Sequence, residues 1–405
     1  MTDDRIMGLY NRAPIAVASG KGVWLTDEDG RTYLDCVAGI ATNGLGHCHP
    51  ALVAALETQA HKLWHVSNIF RIPGQEALAR RLTDASFADV VYFANSGTEA
   101  VECAIKTARR FHAAAGNAER IDIIGFAGSF HGRTYAAINA SGNATYLEGF
   151  GPRLPGYVQL SLDDQAAIEE AVARPTTAAV IVEPVQGEGG ARALSGEWLT
   201  RLRALTRQHG VLLIYDEVQC GMGRTGKLFA HEWSGVTPDI MAIAKGIGGG
   251  FPMGACLATD EAAVGMTAAS GMIVGVHGST FGGNPLAMAV ATAAFDEIAR
   301  PAMLAHVEAV SAEFRERLTE LAGRHPDLIA EVRGKGLLIG LKMIPNNREF
   351  MAIARDHDIL VAGGGENCVR LLPPLIITSE EIVEAVKRLD AACEDARARL
   401  AKAAA

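Results

Sequence analysis

The amino-acid sequence predicts an α/β fold: a large domain with a mostly parallel central sheet flanked by helices, followed by a small α+β domain. Three observations predict it. Short apolar runs at residues 89–94, 121–126, 178–182 and 211–215 alternate with helical periodicities, and buried strands joined by helices imply right-handed crossovers and parallel pairing. Beyond residue 296 the alternation gives way to a long helical stretch, strand-like segments and a terminal helix. The 405 residues, 49% apolar and 20% charged, suffice for two to three units of roughly 150 residues around a sizeable core.

Taken in order, residues 22–27 and 31–35 flank Glu28-Asp29-Gly30, whose Asp-Gly pair suits a two-residue hairpin turn. Pro50 fits a first helical turn, and helical periodicity runs over residues 51–63. The run 89–94 ends in Asn95-Ser96-Gly97, after which Val101, Ala104, Ile105 and Ala108 mark one face of a helix. Residues 197–208 give another helical pattern between apolar runs. Residues 262–295 carry no Asp, Glu, Lys or Arg, a length that alone permits a membrane span. Gly271, Gly275, His277, Gly278, Gly282, Gly283, Asn284 and Pro285 break it, so a polar loop around a ligand is expected there. Residues 296–322 read as one long helix, 328–343 as strand, 348–357 as helix, 369–372 as strand, and Ser379 onward as the last helix. The expected division is an N-terminal segment 1–60 packing with the small domain, a large cofactor-binding domain 61–295 and a small domain 296–405.

The 44 glycines exceed the usual share of about 7%; without a Gly-X-Y period they point to tight loops and close backbone approaches. The 37 basic and 46 acidic residues leave a net charge of −9 with no basic block, which argues against nucleic acid as a partner. Seven scattered cysteines without Cys-x-x-Cys spacing favour a reducing, cytoplasmic setting over a disulfide scaffold or zinc ribbon. The start Met1-Thr-Asp-Asp-Arg lacks an apolar core, so neither a secretory leader nor a membrane partner is expected. Two motifs mislead. Gly221-Met-Gly223-Arg-Thr-Gly226 satisfies G-x-G-x-x-G, but no apolar helix pattern follows it, which excludes a dinucleotide fingerprint. His47-Cys48-His49 offers only vicinal ligands ahead of Pro50 and reads as a turn; no metal is expected.

Four features carry chemistry. An apolar run delivers Lys245 to the glycine-rich Gly246-Ile-Gly248-Gly249-Gly250. Burial lowers a lysine's pKa and leaves a neutral amine able to attack carbonyls, although a surface lysine before a loop has the same pattern. Asp216 ends the apolar strand Val211-Leu-Leu-Ile-Tyr, at the sheet edge where ligands bind. A buried carboxylate needs a positive partner, and a protonated pyridine nitrogen is one, as in pyridoxal phosphate enzymes; capping of the next turn is the plainer reading. Asn95-Ser96-Gly97-Thr98-Glu99 opens a helix and suits a phosphate monoester, and Ser96 with Glu99 also forms a capping box. A second hydroxyl cluster, Ser279-Thr280, can reach the same phosphate. Finally, Phe130 offers a ring to stack on a flat cofactor, while Arg133 and Arg370 offer planar forks for carboxylates; structural ion pairs account for these arginines equally well.

In chain order, Ser96-Gly-Thr-Glu-Ala, Phe130-His-Gly-Arg, Glu183-Pro-Val-Gln-Gly-Glu-Gly-Gly, Asp216-Glu-Val-Gln, Lys245-Gly and Gly278-Ser-Thr-Phe-Gly-Gly-Asn-Pro closely resemble the class III (ω-amino-acid) pyridoxal-phosphate aminotransferases. The likeness runs from Gly22-Val-Trp-Leu to Leu371-Leu-Pro-Pro. It implies a fold-type I homodimer with interface active sites and pyridoxal 5'-phosphate as cofactor. It implies that Lys245 carries the cofactor covalently and transfers protons, that Asp216 holds the pyridine nitrogen and Gln219 the ring hydroxyl, and that Phe130 stacks on the ring. Glu217 and Val218 would also contact the cofactor. Ser96, Gly97 and Thr98 would bind the phosphate, helped by the partner subunit's Thr280. On the substrate side, Arg133 would bind the donor's distal carboxylate, and Ser279 would also bind substrate. Arg370 would hold the α-carboxylate of glutamate, and Glu183 would neutralise Arg370 when the other substrate is bound. The implied reaction passes the δ-amine of N2-acetyl-L-ornithine to 2-oxoglutarate, as in arginine synthesis. The same chemistry on succinylornithine, 4-aminobutyrate or ornithine, or an aminomutase reaction, remains open. In ornithine aminotransferases a tyrosine aligns with Ile40, and its absence here disfavours free ornithine.

Overall fold

The computed structural model describes residues 5–267 and 275–404. Its centre is a seven-stranded sheet in the order Val90–Ala94, Gly254–Ala258, Ile240–Ala244, Leu212–Asp216, Thr177–Val182, Asp122–Phe126 and Tyr157–Leu160. Pairing is parallel throughout except around Gly254–Ala258, which runs antiparallel to both neighbours. In the three central strands every residue is buried, which is why they read as unbroken apolar runs rather than alternating ones.

Alternate residues of these strands serve opposite faces. Ala179, Ile181, Leu212, Ile214, Ile240 and Ala242 join Val101, Ala104, Ile105 and Ala108 of helix Gly97–Ala114. Val180, Val182, Leu213, Tyr215, Met241 and Ile243 join the main core, which includes Leu199 and Leu202 of helix Gly196–Gln208. The sheet is therefore covered on both sides.

A second, wholly antiparallel sheet takes the order Ile329–Lys335, Leu338–Met343, Cys368–Leu371 and Ala362–Gly364. Helices Pro301–Arg324, Asn347–Asp356 and Ser379–Ala404 accompany it. Near the N-terminus, Val17–Lys21, Trp24–Asp27 and Thr32–Asp35 form a meander whose last strand pairs in parallel with Ile359–Leu360.

Several sequence expectations need correction. The hairpin loop has three residues, Glu28-Asp29-Gly30, closed by Asp27 N–H to Arg31 O at 3.0 Å, and Gly30 alone takes a positive φ of 84°. The first long helix is Pro50–Ala60, shorter than the pattern over 51–63. The stretch 296–322 is not one helix: Pro285–Ile298 and Pro301–Arg324 are separate. A proline in the first turn of each explains why both begin where they do. The charge-free segment is accordingly part helix, and 268–274, with Gly271, lie outside the described residues. Among the described residues no helix is long and apolar enough to cross a membrane.

Candidate active site

The carboxyl ends of the parallel strands converge on a cleft of about 450 Å³, the position open α/β sheets reserve for ligands. Five of them deliver residues to it. Val90–Ala94 leads into Asn95 and Ser96, Asp122–Phe126 into Phe130 and His131, and Thr177–Val182 into Glu183; Leu212–Asp216 ends in Asp216, and Ile240–Ala244 leads into Lys245.

Lys245 has φ of 48°, left-handed for a side-chain-bearing residue, a backbone that costs about 1–2 kcal/mol and collects at functional sites. It opens a 3₁₀ turn, Lys245–Ile247. Burial pushes its ammonium down to about 8, opposed by the charge of Glu188 and reinforced by that of Arg370. The amine is therefore within reach of its neutral, nucleophilic form near physiological pH.

Asp216 is buried, and its Oδ1 accepts a hydrogen bond from Val218 N–H at 3.0 Å. Its Oδ2 lies 2.8 Å from His131 Nδ1. Burial alone would lower the His131 imidazole, but the hydrogen bond to Asp216 and its charge override that and raise it. His131 Nε2 is buried without a hydrogen-bond partner among the described residues. The sequence places His131 inside a motif but gives it no role; the contact with Asp216 across 85 positions supplies one.

The helix beginning at Gly97 supplies the anion end. Ser96 Oγ accepts from Glu99 N–H at 3.3 Å, and Glu99 Oε2 accepts from Asn95 N–H at 2.7 Å, a reciprocal cap. The amides of Gly97 and Thr98, in the first turn, have no intrahelical acceptor and line the cleft. Backbone approach is tight here. A Cβ on Gly97 would stand 2.7 Å from Val218 Cγ1, and one on Gly132 (φ 121°) would overlap Thr98 Oγ1. Thr98 Oγ1 in turn accepts from Arg133 N–H at 3.1 Å.

The two arginines differ. Arg133 is exposed and lies over the Tyr146 ring at 3.9 Å and the Phe130 ring at 5.3 Å. Arg370 is buried: Nε donates to Gly363 O at 2.9 Å, Nη1 to Gln219 Oε1 at 3.0 Å, and Nη2 pairs with Glu188 Oε1 at 2.7 Å. This corrects the pairing expected from the sequence. Glu183, five residues earlier in the same motif, spends its carboxylate on the amides of Phe130 at 2.8 Å and Gly187 at 3.1 Å. It lines the cleft, where burial raises its carboxyl, but it is Glu188 that neutralises Arg370.

Other expected site residues are sorted similarly. Val218 and Gln219 line the cleft with Phe130. Glu217 does not; its buried carboxylate accepts the amides of Ala230 and His231, so it anchors the following turn instead of facing a ligand. Ser279 and Thr280 lie in a separate groove of about 950 Å³, linked to the cleft by Asn95 Nδ2 donating to Ser279 Oγ at 3.0 Å. Ile40 sits in a run of four positive φ values, Ala38 to Ala41, and packs against a cluster holding Val185, Leu338 and Leu372; Thr42 is the neighbour that lines the cleft.

These features fit pyridoxal phosphate. A carboxylate backed by a histidine stands ready for a protonated ring nitrogen. Phe130 and Val218 give apolar walls, the amides of a helix N-terminus suit a phosphate, and the lowered Lys245 amine suits attack on a carbonyl.

The model of the class-III aminotransferase family matches residues 9–393. "Acetylornithine aminotransferase 2" of Caulobacter vibrioides is 66% identical over 397 residues, 98% of this chain and 96% of its own. The crystal structure of N-acetylornithine aminotransferase from Stenotrophomonas maltophilia K279a is similar with a TM-score of 0.84 and 37% identity, covering 96% of this chain and 98% of that one. An amine transaminase from an uncultivated Pseudomonas species, described in its PLP-bound form, is similar with a TM-score of 0.89 and 30% identity, covering 98% of this chain and 99% of that one. A strand-end lysine, a buried carboxylate and a phosphate-ready helix, joined to likeness along the whole chain, place this protein in the class-III family of pyridoxal-phosphate-dependent aminotransferases.

Proposed function

We propose that this aminotransferase transfers the δ-amine of N2-acetyl-L-ornithine to 2-oxoglutarate, giving N-acetyl-L-glutamate 5-semialdehyde and L-glutamate. One observation carries the two-substrate reading: Arg370, which reaches the cleft-lining Gln219, is covered by the Glu188 carboxylate, while Arg133 lines the cleft and stands open over aromatic rings. Acetylornithine, held by its reacting amine, has a single, distant carboxylate for Arg133 and nothing for Arg370, which Glu188 keeps neutralised. Glutamate has a second carboxylate one carbon from its amine, which takes the place of Glu188 on Arg370. The 66% identical relative bearing the acetylornithine name supports this donor over others.

Bound pyridoxal phosphate supplies a carbonyl that exchanges for an amine and a ring that accepts charge from the substrate carbon. The chain's own residues do the rest. Lys245 Nζ would hold the cofactor and, as a free amine, take the proton from the amine-bearing carbon of the substrate. Asp216, steadied by His131, would keep the ring nitrogen protonated. Gly97 and Thr98 would bind the phosphate with Ser96 fixing their turn, Phe130 and Val218 would enclose the ring, and Gln219, held by Arg370, would contact the ring.

The groove holding Ser279 and Thr280 opens beside the exposed Ile69, and Trp64, Phe70 and Phe281 are exposed large apolar side chains nearby in the chain. We assign this face to a second copy, so that the partner subunit's Thr280 completes the phosphate site in a homodimer. The division into 1–60, 61–295 and 296–405 is supported by the two separate sheets and by the pairing of Thr32–Asp35 with Ile359–Leu360; helix Pro285–Ile298 shifts the last boundary to Ala299–Arg300. Seven free cysteines support a cytoplasmic location.

The test is a donor panel at saturating 2-oxoglutarate, following glutamate formation. The expected order of kcat/KM puts N2-acetylornithine above succinylornithine, ornithine and 4-aminobutyrate. A higher kcat/KM for any of those three would replace the proposed donor.

A further inference from the structure

A second arginine, partly buried, lies at this end of the second sheet. Arg333, on strand Ile329–Lys335, is largely withdrawn from solvent, with 13% of its side chain exposed. Its Nε donates to Gly190 O at 2.6 Å, and its Nη1 to Glu366 Oε2 at 2.6 Å. Nη2 is buried with no hydrogen-bond partner among the described residues. The guanidinium lies so close to Gly190 (φ 98°) that a Cβ there would overlap it.

The same turn carries Glu188. Glu188 O accepts from Gly365 N–H at 2.7 Å, while Glu188 Oε1 reaches Arg370 Nη2 at 2.7 Å. The segment 188–190 is thus gripped at both ends by the second sheet: its first carbonyl by Gly365, its last by Arg333. The carboxylate between those anchors is the one covering Arg370. Hydrogen bonds to a planar, partly buried fork fix a position more firmly than they add net stability.

We propose that Arg333, oriented by Glu366, is a positioning residue that holds the Glu188 turn so that Glu188 covers Arg370 until an α-carboxylate displaces it. This rests on the Arg370–Glu188 reading given under Proposed function. Loosening the turn lets Glu188 leave Arg370 more easily. Ligands with a carboxylate for Arg370 then gain, and the ω-amine donor, which needs Arg370 covered, loses.

The experiment uses the holoenzyme and Arg333→Gln, with Glu366→Gln as a second variant at the exposed end of the pair. Single-turnover kcat/KM is measured for acetylornithine and for glutamate, and equilibrium binding of the unreactive dicarboxylate glutarate by calorimetry. The ratio of acetylornithine to glutamate kcat/KM is expected to fall roughly three- to ten-fold in Arg333→Gln, the size of coupling seen between contacting groups. Glu366→Gln should shift it in the same direction by less. Glutarate should bind at least as tightly as to the parent. In a Glu188→Gln background Arg333→Gln should shift the ratio no further, since it acts through Glu188. An equal loss with both donors, weaker glutarate binding, or an unchanged ratio in Glu366→Gln would each overturn the proposal. Failure of the reading beneath it looks different: Glu188→Gln alone would then leave the ratio unchanged.

Discussion

His131 Nδ1 lies 2.8 Å from Asp216 Oδ2, both side chains shielded from solvent. That pair fixes which way the carboxylate faces, so under the proposed role of Asp216 both residues would bear on the cofactor's ring nitrogen. Asp216→Asn is expected to keep the cofactor, through phosphate and stacking contacts, yet lose several orders of magnitude in kcat, because an amide cannot favour a protonated ring nitrogen. His131→Phe keeps the aromatic volume and should cost about 1–3 kcal/mol, or roughly five- to a hundred-and-fifty-fold in kcat. Cofactor absorbance alongside steady-state rates checks both. Near-parental turnover in Asp216→Asn would show that another group holds the nitrogen.

Lys245 gives a pH prediction. Burial lowers its ammonium to about 8 from the ordinary 10.5. Below about 8 the folded protein holds the proton, and above it the amine is free. The rate at which apoenzyme captures pyridoxal phosphate should therefore climb as pH rises toward 8 and level off beyond it, well before an ordinary lysine would. Stability follows the same sign: between about 8 and 10.5 the unfolded chain binds the extra proton, so this lysine's unfavourable contribution fades as pH rises. Borohydride reduction and peptide mapping should mark Lys245, and Lys245→Ala should abolish the mark. A label on a different lysine would remove the assignment.

Gly132 predicts a backbone effect on the anion end. With φ of 121° and Thr98 Oγ1 where a Cβ would go, Gly132→Ala should displace Thr98 and weaken cofactor retention on dialysis at least ten-fold, about 1.4 kcal/mol. Gly323, in helix Pro301–Arg324 with open space around it, is the control. Gly323→Ala should leave retention unchanged and raise stability by roughly 0.5–1 kcal/mol. Equal losses in the two variants would separate retention from the Thr98 contact.

Much of this architecture is written locally in the chain. The central strands announce themselves because full burial demands unbroken apolar runs, and Lys245, Asp216 and Ser96 stand out because polar residues at strand ends need a reason. Other features depend on distant partners. Gly254–Ala258 runs antiparallel inside the sheet, but its sequence Gly-Ala-Cys-Leu-Ala is small-residue and carries no strand signature. The break at Ala299–Arg300 hides because apolar periodicity continues through Pro301. Glu183 and Glu188 share one motif, and only the fold of the glycine turn reveals that the first binds backbone amides and the second binds Arg370. Glu217 follows Asp216 directly, yet points to the next turn.

Single-turnover half-reactions test the proposed division of labour between Arg133 and Arg370 most directly. Cofactor absorbance is followed as each donor converts the aldehyde form to the amine form, in the parent, Arg370→Ala and Arg133→Ala. Removing a carboxylate clamp should cost roughly 1.5–3 kcal/mol in each half-reaction that uses it. The prediction is that Arg370→Ala slows the glutamate half-reaction and largely spares acetylornithine, while Arg133→Ala slows both. Equal damage to the two donors in Arg370→Ala would contradict the account and leave Arg370 with Glu188 as a structural ion pair.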